Sequence, residues 1–238
     1  MGVDLVLSSG FLAFAAQAGF LAAVEDVGLE VDGVCGTSSG ALAGALWSAG
    51  MPAEELFHEL CHRTPLSWVA PHWRPWRGLF RMDPVLRRLA EHLPDRVDQL
   101  PHAFGAGVAA QGEAHLLIDG PLVDAVAASC AVPYLFVPVE VEGRTFVDGG
   151  AVDRTMLTHW RARRPGRRVV LHLLDPSHGA GGSDEGLADV VVRSPRSGAR
   201  LWSLGDARGR FDAARARAGA VLDGWRGGRT DDGGPQQV

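Results

Sequence analysis

The sequence has no lysine: all 23 basic residues among its 238 positions are arginine. This excludes Schiff-base lysines and Ser-Lys dyads, and also the phosphate loop that depends on a lysine. Cysteine is scarce. Cys35, Cys61 and Cys130 form an odd set without metal-ligand spacing, so neither a disulfide framework nor a metal site is expected, and no cofactor is implied. A reducing, cytoplasmic setting fits such a set. No run of about 18 uninterrupted apolar residues occurs, so no spanning helix is expected. Residues 1–24 lack a basic segment and carry Asp4, and do not read as a signal peptide. Positive charge is not in excess either. The net charge is −5, which gives no reason to expect a nucleic-acid partner.

What remains is ordinary globular material, 46% hydrophobic and 21% charged, long enough for one α/β domain. Residues 3–7 read as a short apolar strand, 11–27 as an Ala-rich buried helix, and 31–35 as a second strand. Residues 36–40 form a turn, and 41–49 a further Ala-rich helix. Strand–helix–strand–helix order implies a mostly parallel sheet with crossover helices. Helices are expected at 52–62, 83–93, 122–130, 155–164 and 211–222. Strands are expected at 103–110, 114–118 and 168–174, with a hairpin at 137–147 turning on Glu142-Gly143. Residues 63–82 read as an irregular flap, 179–186 as a mobile Gly-rich loop, and 224–238 as a polar tail expected to be disordered.

Two turns carry chemistry. Gly36-Thr37-Ser38-Ser39-Gly40 lies between a strand and a helix. A serine hydroxyl is a weak nucleophile, and a tight strand-to-helix turn exposes it at a helix N-terminus. Ser38 is the candidate because it has glycines at both −2 and +2. Asp148-Gly149-Gly150 closes the predicted strand ending at Val147. Alone, such a turn is more often only a turn. Desolvation would raise the aspartate's pKa and make it a better proton acceptor. His159, His172 and His178 offer a different base, within a Ser-His-Asp esterase. Cys61-His62 is a weaker pairing, since adjacent helix residues face different ways.

With both turns placed, the chain resembles the patatin-like phospholipases. The likeness rests on Leu5 to Glu25, on Val31-Asp32-Gly33-Val34-Cys35-Gly36-Thr37-Ser38-Ser39-Gly40 and the helix after it, and on Ala128-Ser129 through Pro133, Phe136 and Pro138 to Asp148-Gly149-Gly150. The resemblance implies a three-layer α/β/α fold, a Ser38-Asp148 dyad without histidine, and hydrolysis of acyl esters of lipids. It implies an acyl hydrolase domain over residues 4–160, with 161–223 as a strand and helix extension packed on it. It also places an oxyanion hole at Gly10 and Phe11. There the sequence departs from the family, whose Gly-rich loop carries an arginine where this chain has Ala13. A second reading follows from that departure: a catalytically weakened member that binds lipid or a protein partner. Trp68, Trp73 and Trp76, set among Arg74, Arg77 and Arg81, mark the 63–82 flap as a candidate peripheral membrane contact. The competing reading packs these tryptophans against the core.

Overall fold

Val3–Leu7 (β1) is buried along its whole length, and a strand buried on both faces belongs in the middle of a parallel sheet. A computed structural model, describing residues 2–175 and 185–227, shows how the chain builds around it. After β1 come α1 (Phe14–Asp26), β2 (Val31–Thr37), α2 (Ser39–Ser48) and α3 (Ala53–Cys61). A short ladder of β3 (Ala70–Pro71) and β4 (Phe80–Arg81) follows, then α4 (Asp83–Ala90), β5 (Ala103–Ala110), β6 (Glu113–Leu117) and α5 (Leu122–Ser129). The chain closes with β7 (Val139–Val141), β8 (Arg144–Asp148), α6 (Leu157–Arg163), β9 (Val169–Leu174), β10 (Val190–Ser194) and α7 (Ala207–Gly227).

The main sheet runs β10-β9-β1-β2-β5-β8-β7, with β6 also paired to β5. The five strands from β10 to β5 are parallel, while β6, β7 and β8 join antiparallel. Alternate side chains of each strand point to opposite faces. Leu5, Leu7 and Val34 pack with α1, α2, α3 and α5, whereas Val6 and Cys35 pack with Leu157 and Trp160 of α6. Helices therefore cover both faces, giving three layers. Both antiparallel hairpins turn on two residues with positive φ, Gln111-Gly112 and Glu142-Gly143, the backbone that such tight turns require.

One exchange of partners positions the site. β2 pairs with β5 as far as Thr37 opposite Gly107. β8 then pairs with the next β5 residue, placing Asp148 opposite Val108. Since β6 holds the other edge of β5 at Val108, β8 continues the edge that β2 vacates. The residue after Thr37 and the last residue of β8 thus meet at the carboxyl ends of the parallel strands.

Several boundaries differ from those expected. Residues 11–13 are not helical: Ala13 precedes α1, and Leu12 has φ of +51°. The flap at 63–82 contains two short 3-10 turns, Pro65–Trp68 and Pro75–Arg77, besides the β3–β4 ladder. The strand β10 was not expected, and α7 runs past both ends of the predicted 211–222 helix. Of the predicted mobile loop, residues 179–184 lie outside the described residues, as do 228–238 of the predicted tail.

At the opposite end of the sheet from the site, Asp4 is fully buried. Its carboxylate accepts from Trp160 Nε1 at 3.0 Å and from Arg164 Nε at 2.6 Å and Nη2 at 3.0 Å. Arg167 Nε lies 3.7 Å away. A charge can be held so far from water only with such partners.

Candidate active site

Ser38 has φ of +55° and ψ of −120°, a strained backbone that costs on the order of 1–3 kcal/mol and must be held by its surroundings. The two flanking glycines allow it. A Cβ on Gly36 would meet Gly40 O at 2.4 Å, and one on Gly40 would meet Leu7 O at 2.2 Å. The serine's own N–H donates to Ser129 Oγ at 2.9 Å, and Ser129 Oγ donates to Gly107 O at 2.6 Å. Cys130 Sγ donates to Ser38 O at 3.3 Å. The strained turn is thus fastened from α5 and β5. Ser38 makes no side-chain cap to α2.

The Ser38 side chain instead lies beside the Asp148 carboxylate, whose charged form it favours. Asp148 is buried, and Gly150 N–H donates to its Oδ1 at 2.7 Å. Burial pushes its pKa up to about 6, against the lowering effect of the neighbouring Ser38 side chain and the Gly150 N–H. Desolvation penalises the charged form, and no cation among the described residues counters it at Asp148.

The loop at Ser8-Ser9-Gly10-Phe11 faces this pair. A Cβ on Gly150 would lie 2.6 Å from Ser9 Oγ, so only glycine fits there. Ser9 N–H donates to Arg154 O at 2.7 Å, and Arg154 Nη2 donates back to Ser9 O at 3.1 Å and to Leu174 O at 2.6 Å. Arg154 is a buried guanidinium whose pKa burial lowers. It ties down the loop that has Ala13 where the family places an arginine. Among the described residues, no backbone carbonyl takes the N–H of Gly10, Phe11 or Leu12.

The histidines lie elsewhere. His172 stacks on Phe20 at 4.5 Å, with Nδ1 2.8 Å from Gln17 Oε1 and Nε2 3.0 Å from Ser194 Oγ. Gln17 Nε2 donates to Ser8 O at 2.8 Å, so its Oε1 accepts and His172 Nδ1 carries the proton. Burial pushes the His172 pKa down to about 3, and it is a neutral core residue supporting the loop at Ser8. His159 lies 3.8 Å from Asp153, not Asp148, and His178 falls outside the described residues. Cys61 is pushed up to about 12 by burial, while the His62 ring engages the carbonyls of His58 and Glu59 and the Arg63 side chain. The local sequence gave no sign of Arg154 or Gln17. Ser129 stood in the quoted Ala-Ser segment without an assigned role.

In front of Ser38 lies a cavity that opens to solvent. Phe11 and Leu12, Leu42 of α2, Leu86 and Leu89 of α4, and Val126 of α5 make it apolar. Trp68 closes one side. The three flap tryptophans therefore divide: Trp68 faces the cavity, whereas Trp73 and Trp76 are 71% and 78% exposed. Among the described residues, no group of three or more His, Cys, Asp or Glu could hold a metal ion.

A parallel sheet between helices, with a strained, glycine-flanked serine turn at its carboxyl end, defines a three-layer α/β protein. The particular family follows from comparison: residues 5–158 match the profile of the patatin-like phospholipases, and the chain belongs to that family. An uncharacterized NTE family protein of Mycobacterium tuberculosis is 33% identical over 158 residues, 63% of this chain and 43% of that protein. The chain therefore spans less than half of that relative's length. The uncharacterized protein YqhO of Bacillus subtilis is 26% identical over 72% of this chain and 70% of its own. Among solved structures, VipD from Legionella pneumophila superposes with a TM-score of 0.59 at 14% identity, covering 94% of this chain and 67% of VipD. ExoU, in its complex with SpcU from Pseudomonas aeruginosa, gives 0.50 at 16% identity, covering 94% of this chain and 51% of that one. These two likenesses concern the fold.

Proposed function

We propose that the protein is a serine hydrolase of lipid acyl esters, with Ser38 as nucleophile and Asp148 as general base. The observation that carries this reading is the Ser38 side chain set beside a buried carboxylate that has no counter-cation among the described residues, at the wall of an apolar cavity. Asp148 takes the hydroxyl proton as Ser38 Oγ attacks the ester carbonyl, so no free alkoxide forms. The oxyanion that develops is met by backbone N–H groups of Gly10 and Phe11, and by that of Ser39 at the N-terminus of α2. Asp148 returns the proton to the leaving alcohol, then deprotonates the water that releases the acyl group from Ser38. Gly36, Gly40, Gly149 and Gly150 serve by letting the backbone close around these groups. The acyl chain lies along Leu86, Leu89 and Val126.

The flap presents this cavity to a lipid surface. Leu66, Trp73, Trp76 and Leu79 are exposed, together with Tyr134 and Trp202. Backbone bonds from Leu79 N to Tyr134 O and from Leu66 N to Leu201 O stitch the three segments together. Indoles beside arginine suit the headgroup layer, and Arg74 stacks on Trp73 at 3.8 Å. This makes the protein peripheral. Among the described residues, no helix is long and apolar enough to cross a membrane.

The test measures hydrolysis of short esters and phospholipids, with fluorophosphonate labelling. Ser38→Ala and Asp148→Asn are each expected to lower turnover at least about 10³-fold, and label should be lost with Ser38. Undiminished turnover by Ser38→Ala sinks the reading. Weaker vesicle co-sedimentation of Trp73→Ser/Trp76→Ser checks the surface.

A further inference from the structure

A segment outside the family match reaches into the site. Residues 195–206 join β10 to α7 and lie beyond the matched residues 5–158. Ser197 is buried, and its Oγ donates to Phe11 O at 2.5 Å across 186 positions of chain. The direction of that bond is fixed. Ala199 N–H donates to Ser197 Oγ at 3.2 Å, which leaves the hydroxyl's single proton for the carbonyl. Gly198, with φ of +60°, makes the sharp turn between the two. Beyond it, Leu201 lines the cavity before Ser38, and its carbonyl accepts from Leu66 N–H at 2.8 Å. Arg210 Nη1 of α7 donates to Leu204 O at 2.6 Å and secures the far end of the segment.

The carbonyl that Ser197 holds belongs to an unfavourable turn. Ala13 N–H donates to Gly10 O at 3.2 Å, closing a β-turn over residues 10–13. Leu12, its third residue, has φ of +51°, whereas Phe11 is not among the residues of positive φ. These signs fit a turn of type II, whose third position calls for glycine or asparagine. Leucine is strained there. Type I, which leucine adopts without strain, differs chiefly by a flip of the peptide between the two central residues. That peptide joins Phe11 to Leu12, and Ser197 grips its oxygen. In a trans peptide the N–H points opposite to the C=O, so a flip would reverse the Leu12 N–H. The two preceding carbonyls are pinned as well, Ser9 O by Arg154 Nη2 and Gly10 O by Ala13 N–H. The N–H groups on the other side of these three peptides are those of Gly10, Phe11 and Leu12, and among the described residues no backbone carbonyl takes them.

We propose that Ser197 is a positioning residue for the oxyanion: it holds the strained turn so that the Leu12 N–H joins those of Gly10 and Phe11 as a donor to the acyl oxygen. Without it the turn relaxes toward type I and that donor turns away. This role rests on the hydrolase reading, and it gives the segment after β10 a part in the chemistry.

The experiment uses the full chain and two ligands of equal alkyl length. An alkyl trifluoromethyl ketone adds to a serine hydroxyl and leaves a charged oxyanion, whereas the alkyl alcohol only fills the cavity. Ser197→Ala is expected to weaken ketone binding about tenfold and to lower kcat for a short ester by a similar factor, with KM and alcohol binding held within about twofold. Leu12→Gly relieves the strain, so the turn should no longer need the serine, and in that background Ser197→Ala should cost less than about threefold. If the alanine protein does not fold, Ser197→Cys, which weakens the donor at similar shape, is read in the same way. Unchanged ketone binding, an equal loss for ketone and alcohol, or the same tenfold loss in both backgrounds overturns the assignment. A wild type without Ser38-dependent turnover or ketone binding removes the hydrolase reading and this role with it. An active wild type matched by Ser197→Ala removes the role alone.

Discussion

Asp4 and Asp148 sit at opposite ends of one sheet and are almost equally hidden, at 0% and 5% exposure. Around Asp4 the chain gathers two arginines and an indole N–H. Around Asp148 it places the Ser38 side chain and one backbone N–H, with no cation among the described residues. Burial is therefore not what separates the two carboxylates. The company is. Cations make Asp4 a fastening between β1 and α6, and without one among the described residues Asp148 is held less readily in its ionised form.

The largest effect that tests this contrast is on stability. Asp4→Ala leaves Arg164 and the Trp160 N–H without their acceptor, and is expected to cost about 3–5 kcal/mol in chemical denaturation. Turnover per folded molecule should stay as it was. A loss below about 1 kcal/mol would mean that Asp4 is no fastening.

Asp148 should behave in the opposite sense. Its folded pKa of about 6 lies above the ordinary value of 3.8, so folding favours the protonated acid. The stability from this group is full below about pH 4 and is lost as the pH rises through 6. Asp148→Asn removes that loss. It should be more stable than wild type by about 2–3 kcal/mol at pH 8, with the difference vanishing near pH 4. Over the same interval wild-type kcat/KM should climb with an apparent pKa near 6. Equal stability of the two proteins at pH 8 would break the comparison.

A smaller effect concerns Arg154, a buried cation given carbonyls instead of a carboxylate. Arg154→Met should slow turnover roughly tenfold, by loosening the loop at Ser9-Gly10 by a fraction of an ångström. Rates with a short ester measure it, and an unaltered kcat would remove Arg154 from the positioning of the loop.

These residues also show how far local sequence reaches. The elbow at Ser38 and the turn at Asp148 could be read in advance because glycine spacing at a strand end is local chemistry. The Ala-rich helices and both tight hairpins were readable for the same reason. Arg154, Ser129 and Gln17 act on groups far away in the chain, and nothing beside them in sequence shows which carbonyl they will meet. β10 was missed because Val190-Val191-Val192 is a short apolar run without alternation, although its β-branching pointed to a strand. The flap read as one irregular piece because its order comes from bonds to Leu201 and Tyr134.

The handover along β5 has a wider consequence. Serine and aspartate stand 110 positions apart in the chain, yet their strands are measured off on consecutive rungs of one ladder, at Gly107 and Val108. Their separation is thereby set by the repeat length of the peptide backbone, which does not vary with side chains. The walls of the cavity have no such ruler and can drift to suit new substrates. A site of this kind separates the part that must stay in tolerance from the part that is free to change.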